Sequence, residues 1–211
     1  MKKKKVTIID YGAGNILSIQ RAFEECKADV KIATKAKEID QASCLVLPGD
    51  GSFSYASKKL KKYDFFEKIL KHVNKGNPLF GICLGMQMLL TKSEEFGLNK
   101  GLSIINGKII KIKKQKKPHL KVPVIGWHDL YGNLDKKKIT FKIGNIDKKK
   151  FYFVHSYKAV TNVKKESLAH YNYGTEKITA IIGKENVIGT QFHPEKSGLN
   201  GLKLIAKILK T

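Results

Sequence analysis

Short apolar runs and stretches of helical period alternate along the first hundred residues. Residues 6–9 form a β-branched run that stops at Asp10, and a turn with two glycines, Tyr11-Gly12-Ala13-Gly14-Asn15, follows it. Ile16, Ile19, Phe23 and Cys26 then recur at the spacing of one helix face. The pattern repeats. Residues 30–33 and 44–47 read as strands, 64–75 as a helix carrying Phe65, Phe66, Ile69, Leu70 and Val73, and 79–82 as a strand that runs directly into another helix. Strands alternating with helices predict a mostly parallel sheet with helices on both faces, because crossover connections lay helices over the sheet. Beyond about residue 100 the pattern changes to short strands at 102–105, 108–112, 139–143, 151–154, 168–171, 178–182 and 187–192, with turns at Asn106-Gly107 and Gly132-Asn133. A closing helix at 199–209 is expected to bury Leu202, Ile205 and Leu209. No repeat, linker or internal boundary breaks the chain, so residues 1–211 are expected to form one α/β domain.

Composition narrows the class. At 42% hydrophobic and 28% charged residues the chain has material for a core, which excludes disordered and collagen-like sequence. The longest apolar stretch, residues 79–90, is interrupted by Gln87 and falls short of the roughly 20 residues of a spanning helix. The basic start at Lys2–Lys5 is followed by too short an apolar run for a secretion signal, so a cytoplasmic location without a membrane partner is expected.

Net charge is +23, from 41 basic and 18 acidic residues. Arg21 is the one arginine, and the lysines are scattered with runs at 2–5, 113–117, 136–138 and 148–150. Arginine is the usual reader of base edges, so this surplus reads as solvated lysine faces and no specific nucleic-acid partner is expected.

Three cysteines with no C-x-x-C pair exclude a disulfide framework and a zinc site, and no metal or cofactor is expected. Cys26 and Cys44 fall at apolar positions and read as core. Cys83 is different. It is the centre of Gly81-Ile82-Cys83-Leu84-Gly85, where a buried strand gives way to a helix. Glycines on both sides of a nucleophile at such a junction permit a sharp elbow that thrusts the middle side chain out, and the helix N-terminus favours negative charge there. Gln191-Phe192-His193-Pro194-Glu195 supplies a base and an acid two residues apart. Proline pushes His193 to an extended conformation, in which His193 and Glu195 share a side and the carboxylate orients the imidazole. His72 and His170 lack such a neighbour and read as structural or surface residues. Gly12 and Gly14 make a weak dinucleotide signal, since Leu17 stands where the third glycine belongs.

With Met86 and Gln87 added, the two segments resemble the class I glutamine amidotransferases, whose triad is Cys–His–Glu. That resemblance implies a flavodoxin-like α/β fold in which Cys83 attacks the side-chain amide of L-glutamine, His193 manages the proton and Glu195 holds His193. It further implies oxyanion donors at the Leu84 amide and in the loop of Gly49 and Gly51, with Gln87, Glu95, Ser156 and Tyr157 around the ligand. Further segments run almost the length of the chain: residues 9–15, Pro48-Gly49-Asp50-Gly51-Ser52-Phe53, Ser93-Glu94-Glu95, Lys121-Val122-Pro123, Gly126-Trp127 and Phe153-Val154-His155-Ser156-Tyr157. These resemble the branch of that family that forms a heterodimer with a HisF-type (β/α)8 cyclase, to which ammonia passes internally for imidazole glycerol phosphate synthesis. In that branch Asn15, Trp127, Tyr152 and Lys196 match docking positions. The sequence departs from the branch at Val124, Ile125 and His128, and at Asp50 where an apolar residue is usual, which keeps a branch member serving a nucleotide-sugar amidating system as the alternative. A basic nucleic-acid module and a cysteine peptidase are the remaining readings; the first leaves the triad unexplained, and the second does not account for Glu95, Ser156 and Tyr157 together.

Overall fold

The computed structural model describes residues 3–114, 120–132, 134 and 139–210. Asn133, Lys136–Lys138 and part of the 2–5 and 113–117 lysine runs lie outside the described residues. The first half alternates as its pattern predicts: β1 (Lys5–Ile9), α1 (Ile16–Glu25), β2 (Asp29–Ala33), β3 (Leu45–Leu47), α2 (Phe53–Lys62), α3 (Phe65–Asn74), β4 (Leu79–Ile82) and α4 (Leu84–Met88). The second half holds β5 (Leu90–Ser93), β6 (Asn99–Lys100), β7 (Ile105–Lys111), β8 (Val124–Asp129), β9 (Lys150–His155), β10 (Tyr157–Thr161), β11 (Ser167–Tyr173), β12 (Glu176–Lys184), β13 (Val187–Thr190) and α5 (Gly198–Leu209).

Seven strands make the main sheet in the order β11-β12-β13-β4-β3-β1-β2. The five from β13 to β2 are parallel, and β12 and β11 continue the sheet antiparallel at one end. Buried on both faces, β3 and β4 are apolar throughout, as central parallel strands are. Chain order reverses between β1 and β3, and in such sheets sites form beyond the carboxyl ends of the strands nearest that reversal. A second sheet, β10-β7-β5-β6, and the pair β8-β9 stand beside this end.

Several local expectations need correction. Residues 102–104 are not a strand, and Asn106-Gly107 is not a turn but lies inside β7, which begins at Ile105. A side chain at Gly107 would meet the Val160 carbonyl at 2.4 Å, so this glycine serves close strand approach. Ile139–Ile143 carries only an isolated bridge from Ile139 to Glu185. In α5 the fully buried side chains are Leu204, Ile205 and Ile208, while Leu202 and Leu209 pack at the margin of the core. Helix α2 and strands β5, β6, β8 and β10 give no clear period. In α2 only Phe53, Ala56, Ser57 and Leu60 are buried beneath a lysine-rich outer face.

Candidate active site

The elbow is built by steric necessity. Cys83 joins β4 to α4 with φ 53° and ψ −108°, a conformation that turns the chain sharply, and its amide is anchored to the Thr190 carbonyl of β13 at 2.7 Å. A Cβ at Gly85 would lie 1.8 Å from the Leu47 carbonyl oxygen, so only glycine lets α4 start this close to the end of β3. At Gly81 a Cβ would meet the Gly85 oxygen and the Met86 nitrogen at 2.8 Å. Leu84 is the first residue of α4, so its amide has no acceptor within the helix and points out at the N-terminus beside the sulfur.

The loop after β3 closes over that position. Gly49 lies against Leu84 and the Gly85 amide, Gly51 holds φ +90°, and Asp50 lines the cleft. Tyr11, from the loop after β1, donates its hydroxyl to the Pro48 carbonyl at 2.9 Å and so fixes the start of the loop. Burial, with Asp50 and Cys83 nearby, holds that phenol strongly to its neutral form.

His193 follows β13 with extended angles, as the proline predicts. Glu195, however, lies in a 3-10 turn, Pro194–Lys196, and not in an extended chain. The tighter turn still brings the two together: His193 Nδ1 and Glu195 Oε1 are 2.7 Å apart and almost wholly shielded from water. The other ring nitrogen, Nε2, has no hydrogen-bond partner among the described residues. Burial alone would lower the His193 pKa, but the Cys83 sulfur on one side and the Glu195 carboxylate on the other outweigh it and favour the imidazolium. Sulfur, imidazole and carboxylate therefore form one buried chain with His193 at its centre.

A cleft of about 530 Å³ opens at the sulfur, and Cys83, Gln87, Glu95, Ser156 and Tyr157 all line it. Glu95 accepts the Phe53 amide at 2.6 Å, the first amide of α2, while burial raises its pKa. Gln87 Nε2 reaches Gln191 Oε1 at 3.0 Å and the Tyr157 carbonyl at 3.5 Å. Behind Ser156 and Tyr157 sits His155, buried and pushed down to about 4 by loss of solvation. Its Nδ1 lies 2.7 Å from the Tyr157 carbonyl and its Nε2 2.8 Å from the Tyr171 hydroxyl. A carbonyl only accepts, so Nδ1 carries the proton and Nε2 accepts from Tyr171.

Asn15, Trp127, Tyr152 and Lys196 stand outside the cleft. Asn15 caps α1, its side chain accepting the Ser18 amide, and α1 packs against the 3-10 turn that carries Lys196. Trp127 is 52% exposed, which excludes a core role, and its ring meets Tyr152 edge-on at 6.0 Å across the β8-β9 pair. Tyr152 is tied to His193: its carbonyl accepts the His193 amide at 3.0 Å, and the Ser197 hydroxyl accepts the Tyr152 amide while donating to the His193 carbonyl at 2.6 Å. Of the departures, Val124 is buried, Ile125 is exposed, and His128 packs on Phe153, Tyr171 and Tyr173. Sequence reasoning gave no role to Tyr11, His155, Gln191 or Ser197. Tyr11, His155 and Gln191 lie inside the quoted segments and Ser197 just beyond one, and no periodicity distinguishes them.

The model of the glutamine amidotransferase class-I family matches residues 7–210. Among curated proteins, the imidazole glycerol phosphate synthase subunit HisH of Lactococcus lactis is 43% identical over 207 residues, covering 98% of each chain. The corresponding HisH 1 of Legionella pneumophila is 41% identical over 210 residues, covering 97% of this chain and 98% of its own. Among solved structures, one titled PurLQS from Thermotoga maritima superposes with a TM-score of 0.72 over 99% of both chains at 21% identity, a likeness of fold alone. By the family match and by relatives that span nearly its whole length, the chain belongs to the class I glutamine amidotransferases, within their HisH group.

Proposed function

We propose that residues 1–211 act as one glutaminase unit of an imidazole glycerol phosphate synthase, releasing ammonia from L-glutamine for a HisF-type (β/α)8 cyclase bound as a heterodimer. The observation that carries this reading is His193 held at 2.7 Å by Glu195, with its other side turned to Cys83 in a cleft that also contains Gln87, Glu95, Ser156 and Tyr157.

The chemistry follows from the geometry. The Cys83 thiolate attacks the side-chain carbonyl carbon of glutamine, and the electron pair of the C=O bond moves to oxygen. That oxyanion is met by the Leu84 amide and by an amide of the loop Gly49–Gly51; one such donor is worth about 10²–10³ in rate. His193, protonated, gives its Nε2 proton to the departing nitrogen, the C–N bond breaks, and ammonia leaves a thioester on Cys83. Neutral His193 then takes a proton from water, hydroxide attacks the thioester, and glutamate departs with the sulfur restored as thiolate. Glu195 holds the ring and stabilises its charge throughout.

Glu95 suits the ligand's ammonium group, and the Ser156–Tyr157 backbone its carboxylate. Asn15, Trp127, Tyr152 and Lys196 face the cyclase, and exposed Ile125 extends that face. The test is glutamate release by the purified chain with a HisF-type cyclase. Cys83→Ala is expected to lose at least about 10³-fold in turnover while still binding the cyclase; turnover at the wild-type rate would overturn the proposal.

A further inference from the structure

The polar network beside the sulfur contains a fully buried amide that the reaction above does not use. Gln191 follows β13, its backbone amide fixed to the Ala180 carbonyl at 2.8 Å, and its side chain is 0% exposed. Its Nε2 lies 3.7 Å from Cys83 Sγ, within reach of an N–H···S contact. Which end of that amide faces the sulfur is decided two residues away. The Tyr157 carbonyl can only accept, so Gln87 must turn its NH2 group towards it. The second N–H of the same group then meets Gln191, which must answer with its oxygen, at 3.0 Å. Gln191 is left with its NH2 group towards the sulfur. Reversing either amide would set oxygen against oxygen or NH2 against NH2 in a buried site. His155 steadies the start of the chain by its own 2.7 Å contact to the Tyr157 carbonyl.

We propose that Gln191, oriented through Gln87 by the Tyr157 carbonyl, is a second stabiliser of the Cys83 thiolate, separate from His193. A neutral N–H donor strengthens its bond when the sulfur becomes an anion, so it favours the reactive form without carrying charge itself. The arrangement also joins the segment assigned to the ligand's carboxylate to the attacking atom by three consecutive side-chain contacts. This inference rests on Cys83 being the nucleophile. The titratable groups that act on the same sulfur are His193 after β13 and Tyr11 after β1, and neither belongs to the Gln87–Gln191 chain.

The experiment measures alkylation of Cys83 by iodoacetamide in the full chain, read on the peptide that carries it, at about pH 6 and about pH 10. Loss of one hydrogen bond to a charged atom is expected to slow Gln191→Leu about tenfold at the lower pH. At the upper pH, above the ordinary range of a cysteine thiol, the rates should agree within about twofold. Gln191→Met, of similar length but with no N–H donor, should fall by a similar factor at the lower pH. Rates equal to wild type at both pH values would overturn the inference, and so would an equal fall at both, which reports access and not charge. Should neither variant fold by circular dichroism, Gln87→Met frees the Gln191 amide from the other end. It should show a smaller fall confined to the lower pH, and an unchanged profile overturns the inference. Alkylation needs no glutamine, so a wild-type chain lacking glutaminase activity with the cyclase would sink the proposed function and leave this result standing.

Discussion

His155 and His193 are both buried, and their surroundings drive them in opposite directions. His155 has no anionic partner, so burial pushes it down to about 4 and it stays neutral. In the unfolded chain it takes up a proton near its ordinary 6.5, which the folded chain refuses. Its contribution to stability is therefore full above about pH 6.5 and is lost as pH falls from there to about 4. His193, raised by the sulfur and Glu195, has the reverse sign: its contribution is full below its ordinary range and is lost as pH rises through the folded value. Urea unfolding at several pH values checks this. Between about pH 6.5 and 4 the pH slope of stability for His155→Gln should be shallower than wild type by up to one proton, ~1.4 kcal/mol per pH unit. At this scale Cys83, His193 and Glu195 were legible because their motifs carry local geometry: glycines at an elbow, a proline fixing the residue before it. The step from proline to a continued extended chain failed, because Pro194 opens a 3-10 turn and the pair meets through that turn. His155 was illegible as a functional neighbour, since its partner Tyr171 is brought in from another strand by the fold.

Among the elements, the junction of β3, β4 and α4 depends most on single atoms. Gly85→Ala would place a methyl carbon 1.8 Å from the Leu47 carbonyl, where backbone must move. A loss of about 3 kcal/mol or more is expected, seen as a fall in the urea midpoint. Gly51→Ala is the contrasting case, because nothing lies within 4 Å of its added carbon and only the positive φ of +90° opposes it. That strain should cost about 1–2 kcal/mol. Equal losses for the two would refute the close approach as the reason for glycine at 85. Strand β4 was legible because burial on both faces leaves an unbroken apolar run, and β1 because its buried residues 6–9 are all β-branched. Helix α2 was hidden because one narrow stripe suffices to seat it and lysines fill the rest. Strand β7 was divided wrongly because Asn-Gly is the commonest hairpin signal, and here the glycine admits the neighbouring strand at Val160.

At the scale of the whole molecule, the main sheet gathers loops from β1, β3, β4 and β13 at one end, and the β8-β9 pair adds an exposed aromatic rim. The alternation of strand and helix made this architecture legible; the second sheet was not, because its strands pair across gaps in sequence, β10 with β7 and β7 with β5. If the rim is the cyclase-facing surface, Trp127→Ala should weaken cyclase binding by about 2 kcal/mol, roughly 30-fold in Kd by calorimetry. Its thermal midpoint should stay near wild type, since the ring is half exposed. Affinity unchanged by that substitution would remove Trp127 from the surface. The Ser197 hydroxyl has a longer reach than either neighbour it touches. One oxygen steadies both the main chain of His193 and the strand that bears the rim. A shift of the outer edge is thus carried by two bonds to the main chain of His193, and the two segments are expected to change together as such chains diverge.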